Sequence, residues 1–167
     1  MTSDDVVRLV ARFEDGTLPK AEWTHQAHLA VALWYASRLP FEEALAVVRE
    51  GIRRINAAHG VATTPTGGYH ETITRFYMGV ICGYVAEEEP GTENDWAARV
   101  HRLLARYGAR DLPLRHYTKD LLMSSEARFG WVEPDPAPAR LTPLYSVAAL
   151  PAVVRYPSRA TGTRAGA

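Results

Sequence analysis

The chain has 167 residues, of which 47% are hydrophobic and 23% charged, a composition typical of one soluble globular domain. Nineteen basic and nineteen acidic residues leave no formal net charge, so the bulk charge does not favour binding to nucleic acid or to an anionic membrane. No apolar stretch approaches the ~20 residues of a membrane-spanning helix, and the acidic start Met-Thr-Ser-Asp-Asp is unlike a signal peptide. We therefore expect a cytoplasmic protein without nucleic-acid or membrane partners.

Helical periodicity dominates, and no alternating run of β-branched residues predicts a strand, so we expect an all-α fold. The pattern predicts a single-domain bundle of about five main helices within residues 1–135, followed by short helical pieces. The predicted helices cover about residues 4–14, 19–38, 41–58, 69–87, 94 or 95 to 107, 113–122 and 124–129. The third helix has the clearest apolar face, formed by Phe41, Leu45, Val48, Ile52 and Ile55.

The composition changes near the end of the chain. Six prolines recur between Pro134 and Pro157, and residues 136–167 contain four arginines and no acidic residue. We expect residues 136–167 to form a tail that packs in part through Leu144–Leu150 and is disordered over about its last ten residues. The tail is also a candidate segment for binding a partner chain.

Two histidines share one face of the predicted second helix. His25 and His28 lie three residues apart, which brings their side chains together on the helix surface. Neutral imidazole is a common ligand of transition metals, and helix bundles often gather such ligands from facing helices. Glu22 forms a Glu-x-x-His unit with His25, but the sequence has no second copy, so a di-iron site is disfavoured while a single metal remains open. The alternative is a hydrogen-bonded core histidine beside a surface histidine.

The densest polar run, residues 64–74, leads into the predicted fourth helix. Its glycines allow the backbone to approach a ligand closely, and N–H groups at a helix start favour anions. His70 falls on the predicted inward face together with Tyr77, where a buried imidazole needs partners for both ring nitrogens. Glu71 could hold a histidine, serve as a fourth metal ligand or act as the general base. Capping of the helix by Thr66, with a turn at the adjacent glycines, is the simpler alternative.

A third polar patch lies on the two short predicted helices. It combines hydroxyl groups, basic side chains and His116 on elements that often cover a pocket. Arg115, Lys119 or Arg128 could clamp an acidic substrate. The alternative for each of these residues is a solvated surface with weak ion pairs.

Three segments resemble a family of small bacterial proteins with no assigned activity. They are residues 22–29 (Glu-Trp-Thr-His-x-Ala-His-Leu), residues 64–72 (Thr-Pro-Thr, then Gly-Tyr-His-Glu-Thr) and residues 125–128 (Ser-Glu-Ala-Arg). The resemblance covers about residues 10–135. It implies a similar helical fold and carries no functional residue with it.

The residues themselves predict a small-molecule enzyme with a histidine-lined pocket between the second and fourth helices. His25, His28 and His70 would bind one divalent transition metal, which would activate water or polarise a carbonyl for hydrolase, lyase or isomerase chemistry. His70 and Glu71 are the predicted catalytic residues, and without a metal they would act by acid–base catalysis. The substrate, a small polar or anionic molecule, is predicted to contact Tyr69, Thr72, Tyr77, Arg115 and His116. The alternative is a helical module that binds a ligand or partner without catalysis, and a monomer and a homodimer both stay open.

Overall fold

A computed structural model describes residues 1–88 and 95–135 of the chain. These residues form five long α-helices and three short helical segments, with no β-strand. The long helices are α1 (Ser3–Glu14), α2 (His25–Ala36), α3 (Phe41–Ala58), α4 (Glu71–Ala86) and α5 (Trp96–Tyr107). The short segments are a 3-10 turn (Leu112–Arg115), α6 (Lys119–Leu122) and α7 (Ser125–Phe129). The prediction of an all-α, single-domain bundle is confirmed.

Helices α2 and α4 form the centre of the bundle. Helix α2 contacts α1, α3, α4 and α5, while α4 contacts α2, α3, α5 and α7. Both helices bury residues around most of their circumference, whereas α1 and α5 bury one face. A helix that is apolar on all sides must be covered on all sides, and this requirement places α2 and α4 inside the bundle.

The predicted start of the second helix at Pro19 is wrong. Helix α2 begins at His25, because Thr24 is its N-cap and the Thr24 hydroxyl accepts a hydrogen bond from the Ala27 N–H at 3.3 Å. The preceding residues form a turn that is closed by hydrogen bonds from the Glu22 and Trp23 N–H groups to the Pro19 carbonyl. His25 and His28 therefore lie in the first turn of α2.

The single helix predicted over residues 113–122 is also wrong. The 3-10 turn ends at Arg115, and a separate helix, α6, begins at Lys119. The Thr118 hydroxyl caps α6 by accepting a hydrogen bond from the Leu121 N–H at 3.4 Å. The Asp135 carboxylate accepts a further hydrogen bond from the Thr118 N–H at 2.7 Å. The predicted helix opened by Ser124 is confirmed as α7, which packs on α4.

No helix within residues 1–88 and 95–135 combines the length and the apolar character needed to cross a membrane. The cytoplasmic location stays a prediction. The predictions for the tail, including the packing of Leu144–Leu150 and the disordered end, lie outside the described residues.

Candidate functional site

A pocket of about 580 Å³ lies between α2, α3 and α4. Small-molecule sites typically have volumes of about 300–1,000 Å³. The apolar part of its lining consists of Leu29, Val48, Ile52, Val61, Ile73, Met78 and Met123. The polar part consists of Trp23, His25, His28, Asn56, Tyr69, His70, Thr74, Tyr77, Arg110 and Arg128. No Asp or Glu of the described part of the chain lines this pocket, so its charged side chains are basic.

Five of the predicted site residues meet at this pocket, namely His25, His28, Tyr69, His70 and Tyr77. The other four do not line it, namely Glu71, Thr72, Arg115 and His116. The three-residue spacing of His25 and His28 thus correctly predicted that both histidines of α2 lie at the same site. The positions of the remaining residues depend on contacts between elements that are distant in sequence.

His28 is held in one orientation and keeps one ring nitrogen open. Its Nδ1–H donates to the Thr24 carbonyl at 2.8 Å, since a carbonyl can only accept. Its ring stacks on Trp23, with the ring centroids 3.6 Å apart. In this tautomer Nε2 carries a lone pair, and it has no hydrogen-bond partner among residues 1–88 and 95–135. Burial lowers the pKa of His28 to about 4, so the ring is neutral at pH 7.

His25 adds a polar atom without a partner. Its ring packs edge-on against Tyr77, with the centroids 5.3 Å apart. The Nε2 of His25 and the indole Nε1 of Trp23 are both buried and lack a hydrogen-bond partner in the described structure. Burial, followed by the nearby charge of Arg110, lowers the pKa of His25. Because buried polar atoms are rarely left unpaired, such atoms call for an explanation such as a water, an ion or a ligand.

His70 is the N-cap of α4 rather than a residue within the helix, but it is buried as the sequence predicted, with 8% of its surface exposed. The helix begins at Glu71, two residues later than predicted. His70 Nδ1 accepts a hydrogen bond from the Ile73 N–H at 3.3 Å, and Nε2–H donates to the Leu122 carbonyl at 2.8 Å. Both ring nitrogens therefore have protein partners. Burial lowers the pKa of His70, and the charge of Arg128 lowers it further.

The loop before α4 reverses tightly at Gly68. Its φ is 78°, and a Cβ at this position would lie 2.4 Å from the Ala62 carbonyl oxygen. The Thr63 hydroxyl accepts a hydrogen bond from the Tyr69 N–H at 3.3 Å. Capping of the helix by Thr66 is wrong, because His70 occupies the N-cap. Thr63 therefore helps to close the loop and does not line the pocket.

Glu71 is bound behind the pocket. Its Oε2 accepts hydrogen bonds from Arg49 Nε at 2.9 Å and from the Tyr69 hydroxyl at 2.7 Å, while Oε1 accepts a second Arg49 N–H. Burial would raise the pKa of Glu71, but the hydrogen bonds from Arg49 and Tyr69 outweigh it and hold this pKa below its ordinary value. A carboxylate held in this way supports Tyr69 and is a weak base.

The remaining predicted residues have other contacts. Thr72 is fully buried, and its hydroxyl donates to the Gly130 carbonyl at 2.7 Å. His116 packs against Phe76 with ring centroids 5.2 Å apart. Arg115 is exposed on the 3-10 turn. Thr72 and His116 connect α4 to the C-terminal segments, and none of the three residues lines the pocket.

Two arginines line the pocket, namely Arg128, one of the candidate clamps for an acidic substrate, and Arg110, which the sequence did not predict. Arg128 is 8% exposed, and its Nε donates to the Pro65 carbonyl at 2.9 Å. Arg110 is exposed and has no ion pair in the described part of the chain. The Ser-Glu-Ala-Arg segment and its polar surroundings were a signal for Arg128. Arg110 follows α5 in a connection without any motif, so no sequence signal pointed to it.

Metal binding stays a prediction. His25, His28 and His70 line one pocket, yet no group of three His, Cys, Asp or Glu side chains able to hold an ion occurs within residues 1–88 and 95–135. Both ring nitrogens of His70 also have protein partners already, so His70 would have to release a hydrogen bond to bind a metal.

Comparison with known proteins gives no match, since no protein-family model, no curated protein and no solved structure is similar to this chain. The resemblance of residues 22–29 and 64–72 to a bacterial family therefore stays a prediction. The function has to be inferred from the chemistry of the pocket.

Proposed function

We propose that this chain is a small-molecule enzyme that transfers a proton through His28 in the pocket between α2, α3 and α4. One observation carries the proposal. The Nδ1–H of His28 donates to the Thr24 carbonyl, which leaves Nε2 as the basic atom of the ring. A backbone carbonyl that fixes the tautomer is a frequent arrangement behind functional imidazoles.

In such a site Nε2 takes a proton from water or from a substrate, and the imidazolium returns a proton to the product. The stack on Trp23 holds the ring in place during this exchange. Burial makes the free His28 a weak base, but a bound anion would oppose this effect, since a nearby negative charge favours the imidazolium. Hydrolase, lyase and isomerase reactions all use a base of this kind.

Chemical modification tests whether the nitrogen is open. Diethyl pyrocarbonate acylates an imidazole nitrogen that carries an accessible lone pair. We expect mass spectrometry to show modification of His28 at pH 7 and protection of His70, both of whose nitrogens are hydrogen-bonded. His101, exposed on α5, supplies the reference rate. Equal protection of His28 and His70 would contradict the proposal.

Turnover tests the reaction class. The wild-type protein, a His28→Ala variant and a His101→Ala control are incubated in D₂O with a panel of esters, lactones and 2-oxo acids. Proton NMR then reports both hydrolysis and deuterium exchange. We expect conversion of at least one compound by the wild type and the control, and a rate lower by about 100-fold or more in folded His28→Ala. Conversion that is unchanged in His28→Ala would exclude His28 as the base.

A divalent transition metal is a second candidate for the same pocket. It is favoured by His25, whose buried Nε2 lacks a partner in the described structure. The open Nε2 of His28 is also suited to ligation, because metal-binding histidines usually donate their other ring N–H to a fixed acceptor. His70 would first have to release its two hydrogen bonds, and catalytic zinc sites commonly use three protein ligands.

Elemental analysis of protein without a His-tag tests the metal candidate. About one transition-metal ion per wild-type chain, lost in a folded His25→Ala/His28→Ala variant, would establish the site. Equal metal content in both proteins would exclude it.

A further inference from the structure

Arg128 carries a buried charge that no carboxylate of the described structure balances. It lies on α7, lines the pocket and is 8% exposed. Its Nε donates to the Pro65 carbonyl at 2.9 Å and Nη1 donates to the Tyr69 carbonyl at 3.5 Å. Buried charges in proteins are as a rule paired, because desolvation of a lone ion is unfavourable.

The guanidinium also has donors left over. It carries five N–H groups in a planar fork, and the two backbone carbonyls use two of them. Its Nη2 group makes no hydrogen bond with residues 1–88 or 95–135. A planar fork of this kind matches the two oxygens of a carboxylate or a phosphate, which bind it through paired hydrogen bonds. The side chain is therefore equipped for an oxyanion.

The rest of the pocket agrees with an anion that has an apolar part. Arg110 adds a second positive charge, and no acidic side chain of the described residues lines the pocket to repel an anion. Val48 and Ile52 of α3 and Met78 of α4 provide an apolar wall. A purely inorganic anion would leave this wall in contact with water, whereas an organic anion would cover it.

We infer that the pocket binds a small organic oxyanion, a carboxylate or phosphate ester on an apolar body, with its charge on the guanidinium of Arg128 and its body against the apolar wall of α3 and α4. The inference rests on the pocket of the proposed function and names the substrate class for it. The bound anion supplies a counter-charge that no carboxylate within residues 1–88 and 95–135 provides for Arg128. It also supplies the negative charge that strengthens His28 as a base.

Isothermal titration calorimetry tests the inference with three probes of similar size. These are 4-phenylbutanoate, phenyl phosphate and the neutral 4-phenylbutanamide. We expect at least one of the two anions to bind the wild-type protein, with the neutral amide weaker by about tenfold or more, because only the anions pair with the guanidinium. The better of the two anions shows whether the natural group is a carboxylate or a phosphate.

Variants then locate the charge. Arg128→Gln is expected to weaken anion binding by about tenfold or more, because it removes the charged fork. Arg8→Gln is the matched control, since Arg8 lies exposed on α1 outside the pocket lining. Equal affinity for the anions and the amide, unchanged binding in Arg128→Gln, or no binding of either anion at millimolar concentration would overturn the inference.

A variant that keeps the charge covers the case in which Arg128→Gln does not fold. Arg128→Lys retains one positive charge but not the planar fork, so it should bind the anion more weakly than the wild type and more strongly than a folded Gln variant. Binding by Arg128→Lys that equals the wild type would also overturn the role of the guanidinium.

Failure of the inference and failure of the proposed function give different results. Anion binding that depends on Arg128, survives in His28→Ala and leads to no turnover supports the inference and indicates a binding module without catalysis. If turnover depends on His28 but anion affinity is unchanged in Arg128→Gln, the proposed enzyme function is supported and the inferred oxyanion site at Arg128 is rejected.

Discussion

Two buried arginines of this bundle have opposite surroundings. Arg99 of α5 is 2% exposed, and its Nε donates to both carboxylate oxygens of Glu88, at 2.9 and 3.0 Å. Its Nη2 also donates to the Ser37 hydroxyl at 2.7 Å. Arg128 is 8% exposed, donates to two backbone carbonyls and lines a pocket. The first cation is matched within the fold, while the second is presented where a ligand can reach it.

The contrast shows how similar burial can serve different ends. Taking a charge out of water is unfavourable, and a carboxylate with good geometry offsets much of that loss. For Arg99 the offset is built into the bundle, so the pair joins the end of α4 to α5. For Arg128 the two backbone carbonyl groups offset only part of the desolvation free energy. An anion that binds to the guanidinium would offset the rest. A buried charge that is stabilised when a ligand binds is a feature expected of a functional pocket.

The largest expected effect comes from breaking the matched pair. Glu88→Gln removes the carboxylate charge that pairs with the buried Arg99, so we expect the free energy of unfolding to fall by about 3 kcal/mol. Urea denaturation followed by circular dichroism measures this loss. The control is Glu87→Gln, which breaks the exposed pair with Arg106 and should lower stability by less than about 1 kcal/mol. Similar losses in the two variants would contradict the assignment of Arg99 as a matched internal cation.

A smaller loss is expected for the pair behind the pocket. The Glu71 side chain is 11% exposed and Arg49 is 25% exposed, so water can partly solvate the arginine after the carboxylate is removed. Glu71→Gln should therefore lower the free energy of unfolding by about 2 kcal/mol, measured in urea. The modification rate of His28 should stay unchanged in this variant. A strong change in that rate, with stability unaltered, would instead return Glu71 to its predicted catalytic role.

Removal of Arg128, which has no carboxylate partner in the described structure, should lower the free energy of unfolding by still less. Arg128→Met loses hydrogen bonds to the Pro65 and Tyr69 carbonyls but also removes a buried charge that no carboxylate of the described residues pairs with. These effects oppose each other, and we expect a net loss below about 1.5 kcal/mol in ligand-free protein. Urea denaturation beside Glu88→Gln gives the comparison directly. A loss as large as that of Glu88→Gln would mean that Arg128 is as much a structural cation as Arg99.

The pH dependence reports the histidines beside the unmatched arginine. Burial lowers the folded-state pKa of His28 from 6.5 to about 4 and also lowers that of His70. The unfolded chain therefore binds more protons than the folded chain between these pH values. The stabilising contribution of the neutral histidines to the free energy of unfolding is full above pH 6.5 and decreases as the pH drops towards 4. Each histidine contributes a slope of up to about 1.4 kcal/mol per pH unit. We expect His28→Gln to flatten the profile between pH 6.5 and 4 in urea denaturation, and an unchanged slope would show that His28 is not buried as a neutral ring.

Local sequence patterns predicted most of the helices because the interactions that define them are local. The apolar spacing from Phe41 to Ile55, with Pro40 before it, predicted the bounds of α3 (Phe41–Ala58) that the structure shows. The prediction failed at α2, where a proline suited to a first helical turn competed with a threonine suited to a cap. The hydrogen bond of Thr24 to the Ala27 N–H decided that competition, and the helix starts six residues later than predicted.

The sequence by itself determined the all-α fold and the neighbouring positions of His25 and His28 on α2, because helical periodicity and a spacing of three residues need no distant partner. The tertiary structure decided which polar groups are satisfied. His70 is bonded to Leu122 and Glu71 to Arg49, across 52 and 22 residues of chain. Arg128 reaches the pocket without a carboxylate partner in the described structure. Whether the polar atoms of a side chain have hydrogen-bond partners depends on neighbours that only the folded chain brings together. The tertiary structure therefore decided which side chains of the pocket are available to a ligand.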